Sequence, residues 1–223
     1  MPRRVEMDAL RTACKQQVDL ENHDVISDAE WASYISRAYG ELWTIVFEAG
    51  LQYFEYATTF TTDGSNALDE PADHLSTVAL AYVEPTGQQY ELRLLQPQEV
   101  TRASRLCGSS GRARWYALVD SKIRLYPTPP AGQTYELRYV PQSPNLVTFA
   151  GDACVDVVTP DGEDFLIWST AVRACGKTEA DPMLALRERE AARERFTESV
   201  RQRAMTAPRR LVVDYETDEA DLW

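Results

Sequence analysis

The periodicity of apolar residues changes twice along this chain. Between Ser27 and Ala49, and again from about Gly162 to Met205, apolar residues recur every three to four positions, which predicts helices. The stretch 52–141 instead alternates β-branched and aromatic residues with polar ones between proline- and glycine-containing turns, which predicts strands. Strands that interrupt two helical regions indicate the α+β class. We expect an α-helical bundle with an inserted small antiparallel β-sheet or barrel and an extended C-terminal arm.

The predicted elements divide the chain into four segments. A short first helix is expected over Val5–Val18, and the stretch Asn145–Thr159 is expected to be irregular. The β insertion is expected to be one curled or closed sheet, because closure hides the strand edges. The four segments are the N-terminal helices of the bundle (1–51), the antiparallel β subdomain (52–146), the C-terminal helices of the bundle (147–207) and the arm (208–223).

The helix after Ser27 carries the clearest local signals. Ser27 followed by Glu30 predicts an N-terminal capping box. Trp43 and Phe47 form an i,i+4 pair that lies off the main apolar stripe, roughly 120 to 160° round the helix from Trp31 at about 100° per residue. A helix that is apolar over so wide an arc either packs on two partners, one of them another subunit, or lies deep in a larger core. Trp43 and Phe47 are therefore candidate subunit-interface residues.

The last predicted helix is densely charged. It combines an apolar series that begins with Met183, Leu184 and Leu186 with a strong excess of arginine. Arg189 and Arg193 are the candidate interface residues on this helix, since guanidinium groups pair with carboxylates and phosphates through two hydrogen bonds. Three interpretations remain open: a solvated face, a face that meets neighbouring subunits, and a face that meets DNA. The eight arginines are Arg187, Arg189, Arg193, Arg195, Arg201, Arg203, Arg209 and Arg210.

The C-terminal arm is apolar and acidic together. From Leu211 onward it carries five acidic residues and no basic one. A terminal segment without a core of its own gains order only when its apolar residues are covered by a partner. The arm is either a docking segment, which adds a strand to a partner or packs in its groove, or a solvated tail. The candidate docking residues are Leu211, Val212, Val213, Tyr215, Leu222 and Trp223.

The chain has no sequence signature of catalysis. It lacks glycine-rich phosphate loops, the HExxH zinc motif and the GxSxG nucleophile motif. Its four cysteines form no CxxC pair, and neither histidine lies near a cysteine, which argues against a metal centre. We therefore expect no enzyme, no catalytic or metal-binding residue and no cofactor.

The charge balance limits the classes of partner. The formal net charge is −12 in a chain of 223 residues. Proteins that grip DNA are usually basic, because phosphate binding releases counterions. The acidity fits an ordinary acidic protein or a surface to which DNA must not adhere. No segment approaches the roughly 20 apolar residues of a membrane helix, so we expect no membrane contact.

Several passages resemble the head-to-tail connector, or adaptor, proteins of tailed double-stranded DNA bacteriophages. The stretch ISDAEWASYISRAYGELW is similar to the opening long helix of that family. The run YFEYATTFTT followed by LDEPADHLSTVALAYV resembles its strand, corner and strand. The later run IRLYPTPPAGQTYELRYVPQSPNL resembles a strand, Pro-x-Pro, glycine, strand, Tyr-x-Pro series, and the helix pair around WSTAVRACGKTEADP completes the likeness.

The resemblance implies a structural protein of the virion, made in the host cytoplasm and placed at the head–tail interface. Its partners would be further copies of itself in a ring of about twelve, the portal protein above, and tail, stopper or nozzle proteins below. Genomic DNA would pass through the lumen during ejection without sequence-specific binding. Two alternatives remain open: a glycosidase-type virion enzyme that degrades cell walls, and a stopper or tail-completion protein.

Overall fold

A computed structural model describes residues 3–20, 25–50, 52–106, 111–149, 151 and 153–206. The chain divides into two compact units, one made of 1–51 with 144–223 and the other of 52–143. The expected α+β class is confirmed. In chain order the elements are β1 (Arg3–Glu6), α1 (Met7–Gln17), α2 (Asp28–Glu48), a 3-10 turn (Gln52–Phe54), β2 (Tyr56–Thr61), β3 (Ala67–Asp69), β4 (His74–Val83), β5 (Gln89–Glu91), β6 (Arg93–Leu94), α3 (Pro97–Leu106), β7 (Trp115–Val119), β8 (Lys122–Tyr126), β9 (Thr134–Pro141), a second 3-10 turn (Leu146–Thr148), β10 (Cys154–Val158), α4 (Pro160–Thr178) and α5 (Met183–Thr206).

The first unit is built around α4. This helix packs against α1, α2 and α5, as its apolar residues on nearly every side predict. Phe165, Leu166, Ala171 and Ala174 are all fully buried. The ring of Phe165 stacks on that of Phe196 from α5, with centroids 6.1 Å apart. The centre of the helical bundle is therefore α4.

The start of α2 forms the expected capping box. The backbone N–H of Glu30 donates to Oγ of Ser27 at 3.3 Å, and the Glu30 carboxylate accepts from the Ser27 N–H at 3.0 Å. A second hydrogen-bonded contact holds this end of α2, because Nζ of Lys177 donates to Glu30 at 2.8 Å. The two contacts of the capping box satisfy backbone donors that the start of a helix leaves without partners.

Two expectations about local structure are wrong in this unit. Val5 and Glu6 lie in β1, so the first helix begins at Met7. The stretch expected to be irregular contains β10, which pairs antiparallel with β1 and buries Val155 and Val157. The two strands lie about 150 residues apart in sequence. A local pattern cannot show such a pairing, because neither strand is stable without the other.

The second unit contains two four-stranded sheets where we expect one. Their strand orders are β2-β9-β4-β5 and β3-β8-β7-β6. All pairs are antiparallel except β6 with β7, which are parallel. Both sheets contribute to one core, whose fully buried members include Leu80, Ile123, Leu125, Tyr135 and Leu137. Strands from both sheets bury apolar side chains together, so neither sheet has to close on itself to hide its apolar face.

Two glycines of α4 provide a test of this packing. An alanine Cβ at Gly162 would overlap the Val157 carbonyl oxygen and approach the Phe196 ring, whereas a Cβ at Gly176 meets nothing within 4 Å. We expect Gly162→Ala to lower the free energy of unfolding by about 1–3 kcal/mol. Gly176→Ala should raise it by up to about 1 kcal/mol, because alanine is the better helix former. Urea unfolding of both variants measures the change in the free energy of unfolding. Equal changes in the two variants would contradict the packing described.

Candidate interaction surfaces

The two α2 candidates differ in how much surface they offer. Phe47 is 40% exposed and lies one residue before the end of the helix. Trp43 is only 5% exposed, and its ring lies 5.9 Å from that of Tyr39 on the same helix. Burial within the first unit therefore accounts for Trp43, whereas Phe47 keeps a large apolar surface in solvent.

The two α5 candidates also differ. The Arg189 guanidinium donates from Nη2 to Oε2 of Glu41 at 2.7 Å and from Nε to Oγ of Ser169 at 3.3 Å. Its hydrogen bonds thus lie within its own chain. Arg193 is exposed. Arg193 is therefore the more exposed of the two, since the Arg189 side chain is 27% exposed.

Glu41 joins three helices through two arginines. Arg173 of α4 donates from Nη2 to Oε1 of Glu41 at 2.5 Å, and Arg189 of α5 occupies the second carboxylate oxygen. Arg173 also donates to the Ser169 carbonyl oxygen at 2.8 Å. Burial by itself would raise the pKa of Glu41, but the hydrogen bonds and charges of the two arginines outweigh it and hold that pKa below its ordinary value of 4.5. Glu41 is therefore a charged link between α2, α4 and α5.

The pairing of the helices also gives their directions. Glu41 faces Arg173 while Glu30 faces Lys177, so α2 and α4 run in opposite directions. The stacked Phe165 and Phe196, with Ala171 near Ala185, show that α4 and α5 are antiparallel as well. It follows that α2 and α5 run in the same direction on either side of the Glu41–Arg189 contact.

Sequence reasoning missed an apolar patch at the start of α5. Met183, Leu184 and Leu186 are 68%, 65% and 40% exposed, although the sequence places them in the apolar series of this helix. The residues that α5 buries fall on one narrow stripe, namely Ala185, Ala192, Phe196 and Val200. A signal was present, because Leu184 and Leu186 point about 160° apart at 100° per residue and cannot share one stripe.

The remaining predicted features are placed as follows. Arg195 pairs with Asp164 at 3.8 Å, and Arg203 donates to the Val158 carbonyl oxygen at 2.9 Å. Among the residues that the structure describes, no three His, Cys, Asp or Glu side chains cluster as metal ligands would. No helix within the described ranges is both long enough and apolar enough to cross a membrane. The candidate docking residues of the arm, Leu211, Val212, Val213, Tyr215, Leu222 and Trp223, lie outside the described residues.

Replacing Glu41 with glutamine tests the three-helix link. Because the side chain is partly exposed, we expect Glu41→Gln to lower the free energy of unfolding at pH 7 by about 1 kcal/mol. The folded-state pKa lies below 4.5, so the contribution of the wild-type carboxylate persists above that pH and is lost as the pH falls through the folded-state value. Urea unfolding between pH 7 and pH 3 should show the two proteins converging in acid.

Glu48→Gln, an exposed change at the end of the same helix, is the matched control and should alter stability little at any pH. A Glu41→Gln deficit that stayed constant down to pH 3 would contradict the ionic origin of the contribution.

Comparison with known families agrees with the order of elements. A family model described as SU10 adaptor protein matches residues 7–214, a range that begins at the first residue of α1 and extends beyond α5. No curated protein matches the sequence. Since the match covers most of the chain and both of its units, the chain belongs to the SU10 adaptor protein family, which confirms its resemblance to the head-to-tail adaptor proteins of tailed bacteriophages.

Proposed function

We propose that this adaptor protein works as a structural ring beneath the portal of the phage head. Copies pack side by side around an axis, extend the DNA channel and present a platform to which tail or stopper proteins attach. Twelve copies is the number that the resemblance to connector proteins implies. The function is mechanical, since the ring holds two parts of the virion together and transforms no substrate.

The observation that carries the ring is the presence of two separate apolar surfaces on one helical unit. Phe47 follows Glu41 by six residues along α2, and Met183 precedes Arg189 by six along α5. Because the two helices run in the same direction from the Glu41–Arg189 contact, the surfaces lie toward opposite ends of the pair. Two different surfaces on one protomer suit head-to-tail contact between copies, which generates rings when the rotation closes.

The four predicted interface residues have two different roles in this proposal. Phe47 and Arg193 supply surface, because both are exposed and both follow the Glu41–Arg189 contact toward the same end of the helices. Trp43 and Arg189 hold α2 and α5 in place beneath that surface. Met183 and Leu186, which lie about 60° apart around α5 at 100° per residue, supply the complementary apolar surface for the next copy.

The charge of the chain supports passage of DNA through the ring without binding. A net charge of −12 per copy repels phosphate groups, so DNA would slide through the lumen instead of adhering to it. No arginine on α5 is required for sequence recognition in this proposal.

Mass measurement of the purified chain with and without portal rings tests the proposal. Without portal rings we expect a mass well below that of a ring. With portal rings we expect a complex of defined stoichiometry, near twelve copies. Virions imaged by electron microscopy should show density for the protein between capsid and tail. No binding to portal rings, together with no such density, would overturn the proposed function.

Removing the arm separates docking from folding. We expect a chain that ends before Leu211 to keep its thermal unfolding midpoint, because every helix and strand that the structure describes precedes that residue. The same truncation should abolish binding to portal rings, since it removes Leu211, Val212, Val213, Tyr215, Leu222 and Trp223. Co-sedimentation with portal rings is the measurement, and full binding by the truncated chain would show that the arm does not dock.

A charge at Phe47 tests contact between copies. We expect Phe47→Glu to fold normally, because the side chain is already 40% exposed, and to leave portal complexes with fewer copies than wild type. Val25→Glu, at another exposed apolar residue of the same unit, is the matched control and should bind in full number. Native mass spectrometry counts the copies; an unchanged count for Phe47→Glu would remove this residue from the interface.

A further inference from the structure

The outer strands of the two β-sheets differ in how they are protected. Proteins discourage edge-to-edge pairing by making edge strands short, by charging them, or by inserting proline or bulges. Three of the four outer strands follow this rule: β3 has three residues with Asp69, β5 has three with Glu91, and β6 has two with Arg93. Within the described part of the chain, the remaining outer strand, β2, carries none of these features.

Strand β2 has the properties of a strand that pairs. Its six residues, YATTFT, include no charge, proline or glycine, and most of them are β-branched or aromatic. Its register with β9 runs from Tyr56 opposite Tyr139 to Thr61 opposite Thr134 without a bulge. Four of the six residues are exposed, namely Tyr56, Ala57, Thr59 and Thr61. The outer edge of β2 thus offers backbone donors and acceptors in a regular, accessible row.

The two faces of β2 are also distinct. Phe60 packs against the core of the unit, and the ring of Tyr56 lies 6.5 Å from the core residue Tyr139. Tyr56, Thr58 and Phe60 therefore share the core-side face, since strand side chains alternate. Tyr56 nevertheless remains 57% exposed. A large aromatic side chain on the core side of a sheet, left in solvent at the edge, indicates that a further strand covers it.

We propose that β2 pairs antiparallel with β2 of a second copy, so that two copies of the free chain share one continuous eight-stranded sheet. The lack of charged residues in β2 favours a second copy of this chain as the partner strand. Self-pairing of a charged edge brings like charges close together, as it would for Asp69, Glu91 or Arg93, which is unfavourable. Of the outer strands of these two sheets, within the residues that the structure describes, β2 can face its own copy without that cost.

The two-fold axis also determines the register. A rotation axis perpendicular to the sheet keeps the core-side faces of both copies on one side, so residues of the same parity must lie opposite each other. Centring the axis on Thr58 places Thr58 opposite Thr58 and Tyr56 opposite Phe60, twice. Aromatic pairs and threonine pairs are favourable cross-strand neighbours. In this register Phe60 of the other copy covers the Tyr56 ring, which is 57% exposed in the single chain.

This contact goes beyond the proposed ring and does not depend on it. A two-fold interface uses the same surface on both copies and closes at two, whereas a ring needs two different surfaces. The β2 dimer is accordingly a form that the chain adopts before it enters the ring. It covers an edge that would otherwise be open to aggregation before assembly.

Association of the isolated chain, without portal, provides the first test. Sedimentation velocity over a concentration series should show a monomer–dimer equilibrium. Tyr56→Lys removes both aromatic pairs and adds an edge lysine, so we expect the dimer dissociation constant to rise at least roughly tenfold. Gln89→Lys makes the equivalent change on the edge strand β5 and should leave that constant unchanged. Thermal unfolding of both variants verifies that each still folds.

Cross-linking tests the register directly. In a background with Cys107 and Cys154 changed to serine, Thr58→Cys should form a disulfide-linked dimer under mild oxidation, because the two positions face each other. Thr59→Cys is the matched control and should cross-link poorly, since residue 59 then faces Ala57 of the other copy. The buried Cys14 and Cys175 remain in both proteins.

Four outcomes would overturn the proposal. They are a chain that is monomeric at every concentration, a dimer that Tyr56→Lys does not weaken, efficient cross-linking at residue 59 instead of 58, and a dimer that disappears when residues 208–223 are removed. The last result would mean that the arm occupies the edge. Because portal is absent from every measurement, failure here would leave the proposed ring untouched, and failure of the ring would leave the β2 dimer untouched.

Discussion

Burial of α4 on all sides is the constraint on which the helical unit depends. A helix with apolar residues around nearly its whole circumference is stable in water only when several neighbours cover it. Here α1, α2 and α5 surround α4, and the close approach at Gly162 leaves no room for a side chain between α4, the Val157 carbonyl and Phe196. With α4 covered, α2 and α5 need only one buried stripe each, and their remaining faces are available for other contacts.

The Glu41 link shows how the same packing prepares a surface. One carboxylate holds Arg173 and Arg189, so α2 and α5 keep a fixed relation across α4. Phe47 lies beyond this link on α2, and the exposed leucines and methionine precede it on α5. A surface that must match another copy needs a rigid support, because interface side chains that are already ordered lose less entropy on binding.

Local signals were sufficient wherever a few neighbouring residues decide the conformation. The capping box of Ser27 and Glu30, and the long helix that follows it, were both predicted from a short stretch of sequence. The β1–β10 pair was missed because its two strands meet only in the folded chain. The two-sheet arrangement was missed for the same reason, since strand alternation shows that a face is buried but not which other face covers it. Among candidate surface residues, Phe47 and Arg193 are exposed, whereas Trp43 and Arg189 are held by their own chain.

The sequence by itself determined the α+β class, the succession of helical, β and helical segments, the family resemblance and the apolar, acidic character of the C-terminal arm. These properties follow from residue types and their spacing, which are independent of long-range contacts. Only the tertiary structure decided which apolar side chains remain in solvent: Met183 and Leu184 on α5, Phe47 on α2 and Tyr56 on β2. The physical reason is that exposure depends on what packs against a residue from distant parts of the chain, whereas the periodicity of a single element shows only which of its side chains share a face.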